Sequence, residues 1–308
     1  MLELQLLLST SEGASNEECV SRALELSGDV PLVLSFVHPV NSDGMRLSEE
    51  GIEMLDMLLD HAPRWKVGYL DVQHGGALFN NRIQHMRGRV PMLERISIEA
   101  SFSPSGSTYF HDVLTVAPRL STVAIRDYLG QLVFSWRQIQ RLILHGLHDV
   151  PYFLHVLRSV KGIKHLTIFP KAVIGIRGDT TDFGGSIILP AVHTLDLISD
   201  MNPLFLLSGT ILPALEKLHV GQDDMISWRK TITLRYMNEV GGLLSCSGCA
   251  LTHATFLSIV EFEPAFQDVI AQCPALTYLN RLGHSHLVMC SPRVTLDFCD
   301  SIRYLELN

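Results

Sequence analysis

Basic residues are scarce in this chain and nowhere clustered: 24 Lys and Arg stand against 32 Asp and Glu over 308 residues, for a net charge of −8. The balance argues against a nucleic-acid-binding domain, because neutralising phosphates takes grouped Lys and Arg. Charge of either sign is thin, at 18% of residues, whereas apolar residues reach 47% and mean hydropathy is +0.22. That composition excludes a disordered chain. Long apolar runs are absent too. The opening MLELQLLLST is apolar for only about eight residues and has no basic segment before it, too short for a bilayer span and poorly formed as a signal peptide. A cytoplasmic or nuclear protein with no membrane contact is expected. The six cysteines (Cys19, Cys246, Cys249, Cys273, Cys290, Cys299), in a chain without a secretion signal, are expected to be reduced and buried.

Catalytic signatures are missing as well. No nucleophile elbow, phosphate-binding glycine loop or paired acids in a defined frame occurs, so no catalytic residue, cofactor or metal is assigned. The histidine content is the sole support for a hydrolytic or metal-dependent α/β enzyme, the alternative reading. Cys246-x-x-Cys249 with His253, and Cys273 or Cys290 further on, falls short of a zinc set, which needs four tetrahedral ligands. His145-x-x-His148-Asp149 and His284-x-His286 are equally incomplete. Gly184-Gly185 and Gly241-Gly242 read as loop glycines between units, Asp223-Asp224 as a helix cap, and Trp136 and Trp228 as packed anchors.

What the chain does contain is a repeat. Pro-x-apolar-x-x-apolar-x-apolar occurs as Pro91/Leu93/Ile96/Ile98, Pro118/Leu120/Val123/Ile125, Pro190/Val192/Leu195/Leu197 and Pro213/Leu215/Leu218/Val220. Weaker copies are Trp65/Gly68/Leu70, Ile139/Leu142/Leu144, Ile163/Leu166/Ile168, Leu251/Ala254/Phe256, Leu276/Leu279 and Ile302/Leu305/Leu307. Ten units at about 26 residues each fall in the range of leucine-rich repeats. Spacing of two between the last apolar pair places both on one side of a short strand. Helical segments fit between strands. SEEGIEMLDMLLDHA carries Ser48 as cap, Glu49 and Glu50 in the first turn, and the stripe Ile52, Leu55, Leu58, Leu59. VPYFLHVLRSV and EPAFQDVIAQC place Pro151 and Pro264 in first turns. Strand, helix, strand implies parallel pairing.

The expected fold is therefore an α/β leucine-rich-repeat-like solenoid spanning 1–308 as one irregular domain, with a curved parallel sheet on its concave face and helices and loops on its convex face. The unit lengths vary, and the asparagine that usually follows the strand in regular repeats is absent. The last apolar pair, Leu305 and Leu307, has no polar cap after it, which predicts an exposed strand edge and poor solubility.

The segments CVSRALELSGDVPLVLSF, LLDHAPRWKVGYLDV, VPMLERISI and LPALEKLHV resemble the repeat region of basidiomycete F-box-like proteins. That family follows a small-residue turn and a Pro-Leu-x-Leu strand with a helix ending in His-x-x-Arg-Trp, here His61, Arg64 and Trp65. The resemblance implies a protein-binding, substrate-recognition role beside a cullin-RING ubiquitin ligase. The F-box itself, which opens with Leu-Pro-x-Glu, is not found in this sequence: its two Leu-Pro pairs, Leu189-Pro190 and Leu212-Pro213, fall inside repeats. A ligase adaptor is thus an expected partner only where an F-box lies upstream.

Strand positions just before the second apolar residue form one column: Val67, Arg95, Thr122, Arg141, His165, Thr194, Lys217, His253, Tyr278 and Tyr304. It is basic and aromatic in an acidic protein, and Arg and Tyr are favoured at interfaces. Arg95, Arg141, His165, Lys217, His253, Tyr278 and Tyr304 are the candidate residues for binding a protein partner, whose identity the sequence leaves open.

Overall fold

The fold is seen in a computed structural model, which describes residues 4–8, 16–37, 49–71, 82–99, 110–126, 131–145, 150–169, 186–198, 209–221, 230–257 and 263–282. It has an α/β architecture, and the chain gathers into two compact units, Met1–His155 and Val156–Asn308. The boundary falls inside a helix, not in a Gly- or Pro-rich linker.

In the first unit the strands are β1 (Leu4–Leu8), β2 (Leu32–Val37), β3 (Trp65–Asp71), β4 (Arg95–Glu99), β5 (Phe110–Leu114), β6 (Thr122–Arg126), β7 (Gln131–Phe134) and β8 (Arg141–His145). Helices α1 (Asn16–Leu26) and α2 (Glu49–Asp60) lie between the early strands, and α3 (Val150–Ser159) crosses the unit boundary. The order β1-β2-β3-β4-β6-β8 is parallel throughout, while β5 and β7 pair separately, also in parallel. In the second unit β9 (His165–Phe169), β11 (Thr194–Ile198), β13 (Lys217–Gly221), β14 (His253–Leu257) and β15 (Tyr278–Leu282) pair in that order, again all parallel. The two-residue strands β10 (Ile187–Ile188) and β12 (Thr210–Ile211) pair apart from them. Helices α4 (Lys230–Ser247) and α5 (Glu263–Ala271) complete the unit and pack on each other.

The repeat explains this order. Its first apolar residue is buried in each of the nine copies among the described residues, from Trp65 to Leu276, and the strand begins two residues later, except in the first copy, where Trp65 itself opens β3. The following inward pairs, such as Ile96/Ile98 and Leu195/Leu197, are also buried. Each such side chain removed from water contributes roughly 1.5–3 kcal/mol. The copy at Ile302/Leu305/Leu307 lies outside the described residues.

Proline has a definite place in it. Leu93 N–H donates to Val90 O, Leu120 to Ala117, Val192 to Leu189, Leu215 to Leu212 and Leu276 to Cys273. Pro91, Pro118, Pro190, Pro213 and Pro274 therefore occupy the second position of a β-turn, which their fixed φ suits. Two features escaped the sequence pattern. The residue before each proline is buried, so the repeat begins one apolar position earlier, and Pro274 gives the Leu276/Leu279 copy the opening proline of the full motif, though Arg281 stands at its last apolar position. Two further strands, β1 and β2, precede the ten units; MLELQLLLST holds β1, a strand paired with β2.

The turn leads into a recurring backbone junction. Glu94 O accepts from both Ser121 and Thr122 N–H, Ser121 O from Gln140 and Arg141, His193 O from Glu216 and Lys217, and Thr252 O from Thr277 and Tyr278. Hydroxyls reinforce it: Ser121 Oγ donates to Glu94 O at 3.3 Å, and Thr277 Oγ1 to Thr252 O at 3.2 Å. At each of these junctions one carbonyl of a repeat satisfies two N–H groups of the next.

Helices follow the expected segments with corrections. The buried side of α2 is Met54, Leu55, Leu58 and Leu59, while Ile52 sits at its margin. Gly241 and Gly242 are not loop residues; they lie within α4. A Cβ at Gly241 would sit 3.5 Å from Val269 Cγ2 of α5, so packing between the two helices holds this stretch helical against glycine's low propensity. The glycine that ends α4 is Gly248, with φ +56° and its N–H bonded to Leu244 O at 3.1 Å, a left-handed cap. Gly184-Gly185, Asp223-Asp224 and Trp228 lie outside the described residues. Trp136 is half-buried, in a 3₁₀ turn.

The His61/Arg64/Trp65 element fastens the first unit. Trp65 is fully buried and its indole N–H donates to Leu58 O at 3.0 Å, tying α2 to β3. The Arg64 guanidinium reaches back to Val30 O (2.9 and 3.1 Å), Ser27 Oγ (2.5 Å) and Leu24 O (3.5 Å), placing a cation at the carbonyl end of α1, where the helix dipole favours it.

Candidate functional site

Backbone register, not side-chain contact, assembles the column. Val67 pairs with Arg95, Arg95 with Thr122 and Thr122 with Arg141. In the second unit His165 pairs with Thr194, Thr194 with Lys217, Lys217 with His253 and His253 with Tyr278. Since strand side chains alternate, these rows face away from the buried pairs. Arg95, Arg141, His165 and Lys217 are exposed, His253 and Tyr278 half-buried, and Thr194 is buried. Tyr304 lies outside the described residues.

Their bonding differs. Among the described residues Arg95, Arg141 and Lys217 make no ion pair and no side-chain hydrogen bond. His253 is engaged: its Nδ1 lies 2.9 Å from Thr252 Oγ1, and its ring stands 5.5 Å from that of Tyr278 at 33°. Arg95 and Arg141 in the first unit, and Lys217 in the second, thus stand without counter-ions among the described residues, and the electrostatic complement of each is an anion.

The same face has a second row that the column left out. Two residues further along each strand lie Tyr69, Ser97, Ala124 and Ile143 in the first unit, and Thr167, Asp196, His219 and Thr255 in the second. Tyr69 donates to Glu99 Oε2 at 3.0 Å, and Arg126 Nη1 approaches the same oxygen at 3.5 Å. Thr167 Oγ1 donates to Asp196 Oδ2 at 2.9 Å. Ser97 Oγ is buried without a hydrogen-bond partner. Counting by two from the named column would have found these positions.

Among the described residues no group of three or more His, Cys, Asp or Glu side chains could hold an ion. Cys246 is exposed on the last turn of α4, as is Cys19 on α1, against the expectation that the cysteines are buried; Cys273 is buried. Burial pushes the Cys273 thiol up to about 11, with Cys249 nearby adding to the shift, and burial raises Cys249 too. Both are thereby biased toward the protonated thiol. Cys290, Cys299, His148, Asp149, His284 and His286 lie outside the described residues. No described helix is long and apolar enough to cross a membrane.

No family model matches the chain, and no curated protein matches it. The strands and their charges therefore carry the functional argument unaided.

Proposed function

We propose that this chain is a protein-recognition domain, a leucine-rich-repeat-like solenoid that presents the polar face of its parallel strands to a protein partner, as the repeat region of F-box-like proteins does for substrates. One observation carries the reading: Arg95 and Arg141 in the first unit and Lys217 in the second stand exposed at equivalent strand positions, without counter-ions among the described residues. Such cations are poised for binding, because a partner's anionic groups gain charge-assisted hydrogen bonds without first breaking internal ones. Recruitment of a ubiquitin ligase adaptor belongs to this reading only where an F-box is joined to the chain.

The test is affinity capture from native cytosol with the wild type and the triple variant Arg95→Glu, Arg141→Glu, Lys217→Glu, beside a control with Arg119→Glu and Arg137→Glu, two exposed arginines off the strands. Partners lost by the triple variant and kept by the control support the reading. Identical partner sets for all three proteins overturn it.

A further inference from the structure

We propose that the polar face of the first unit binds an extended acidic segment of a protein partner, with carboxylates three residues apart received by Arg95 and Arg141. The inference rests on the reading above and names the chemistry of the partner.

Arg95 and Arg141 flank Thr122 in register, two strand spacings or about 10 Å apart at the backbone. Both are exposed and, among the described residues, unpaired, although Glu94 immediately precedes Arg95. Glu99, an acid on the same face, is already committed: it accepts from Tyr69 and lies against Arg126. The protein thus neutralises Arg126 internally and leaves Arg95 and Arg141 for an outside anion. The residues between and beside them, Thr122, Ser97 and Ala124, are small, so a ligand backbone can come close to the sheet while the arginines reach over it.

Spacing selects the ligand's conformation. A polyproline II segment turns once in three residues and advances about 9 Å in doing so, which brings side chains i and i+3 to one face at nearly the separation of the two arginines. A β-strand repeats its face at roughly 6.8 Å and falls short, while an α-helix reaches the separation only at i and i+7, about 10.5 Å along an axis that its girth of about 10–12 Å holds away from the sheet. Each carboxylate can be received by a guanidinium fork through two parallel hydrogen bonds, a geometry that lysine lacks. A polyproline II ligand is also preordered, so less conformational entropy is lost on binding.

The experiment is a fluorescence-anisotropy titration of the full chain, at low salt, with a labelled peptide of repeated Glu-Pro-Pro, a second with Gln for Glu, and a third of repeated Glu-Pro with the same number of glutamates. The Glu-Pro-Pro peptide is expected to bind at least about tenfold more tightly than either of the others. The double variant Arg95→Gln, Arg141→Gln is expected to lose that preference, while Arg119→Gln, Arg137→Gln keeps it. Equal binding of the Glu and Gln peptides, no binding at all, or equal loss in both double variants would overturn the proposal, the last by showing bulk charge attraction. Partner capture that remains sensitive to charge reversal while the peptide fails to bind sinks this inference and leaves the broader reading standing. Peptide binding with charge-insensitive capture does the reverse.

Discussion

The two units build the same frame and furnish it differently. In the first, the strand face carries guanidinium groups, Arg95, Arg141 and Arg126, the last paired with Glu99. In the second, the equivalent rows carry one ammonium, Lys217, among His165, His219, His253, Tyr278 and Asp196. The fastenings differ in kind as well. A buried indole and a guanidinium reaching three backbone or hydroxyl oxygens tie the first unit's helices, while α4 packs on α5 in the second. A left-handed glycine ends a helix in both, Gly28 after α1 and Gly248 after α4. A common repeat fixes the backbone and the inward rows; it leaves each unit free to choose its outward chemistry and its means of anchoring helices.

If the inward rows are equivalent, Leu142→Ala in the first unit and Leu218→Ala in the second, both fully buried, should each cost about 2–5 kcal/mol. Urea denaturation followed by circular dichroism measures both. Costs differing by more than about 2 kcal/mol would show that the shared frame is packed unequally.

The charged fastening should be the next largest effect. Arg64→Met removes hydrogen bonds to Val30 O, Ser27 Oγ and Leu24 O and should cost about 1.5–3 kcal/mol. It should also alter the response to acid. Burial and the adjacent Arg64 hold the His61 pKa below its ordinary value, and His61 Nδ1 faces Arg64 Nη1 at 3.3 Å. A depressed histidine pKa means the unfolded chain takes up the proton first, so stability falls as pH drops through about 6.5 and below. Thermal melts at stepped pH should show the wild type losing stability more steeply over that window than His61→Gln. Parallel curves would remove His61 from the fastening.

Smaller effects should distinguish the second unit's glycines. Gly248→Ala forces a left-handed residue to carry a Cβ and should destabilise by about 1–2 kcal/mol. Gly241→Ala adds a Cβ at an ordinary contact distance from Val269 and should stabilise α4 by about 0.5–1 kcal/mol. Opposite signs in paired melts confirm that Gly248 is a cap and Gly241 merely a weak helix former; matching signs contradict it.

Much of the frame was legible beforehand. Spacing of two between apolar residues marked every strand from β4 to β14 in the principal rows, because alternation is a local property of extended chain. Pro151 and Pro264 marked helix starts for an equally local reason. Gly241-Gly242 was misread because composition speaks for a turn, whereas the contact with Val269 that keeps α4 intact comes from a helix more than twenty residues away. β1 was passed over because a short apolar run shows its nature only once β2 is beside it.

The candidate face divides along the same line. Sequence alone determined which residues look away from the core, since period and polarity suffice, and it placed Arg95, Arg141 and Lys217 in one class. Tertiary structure alone decided which charges are spent. Glu99 neutralises Arg126 and not Arg95 because parallel register sets β4 beside β6 and brings those two side chains together, and register is a relation between segments that no single segment contains.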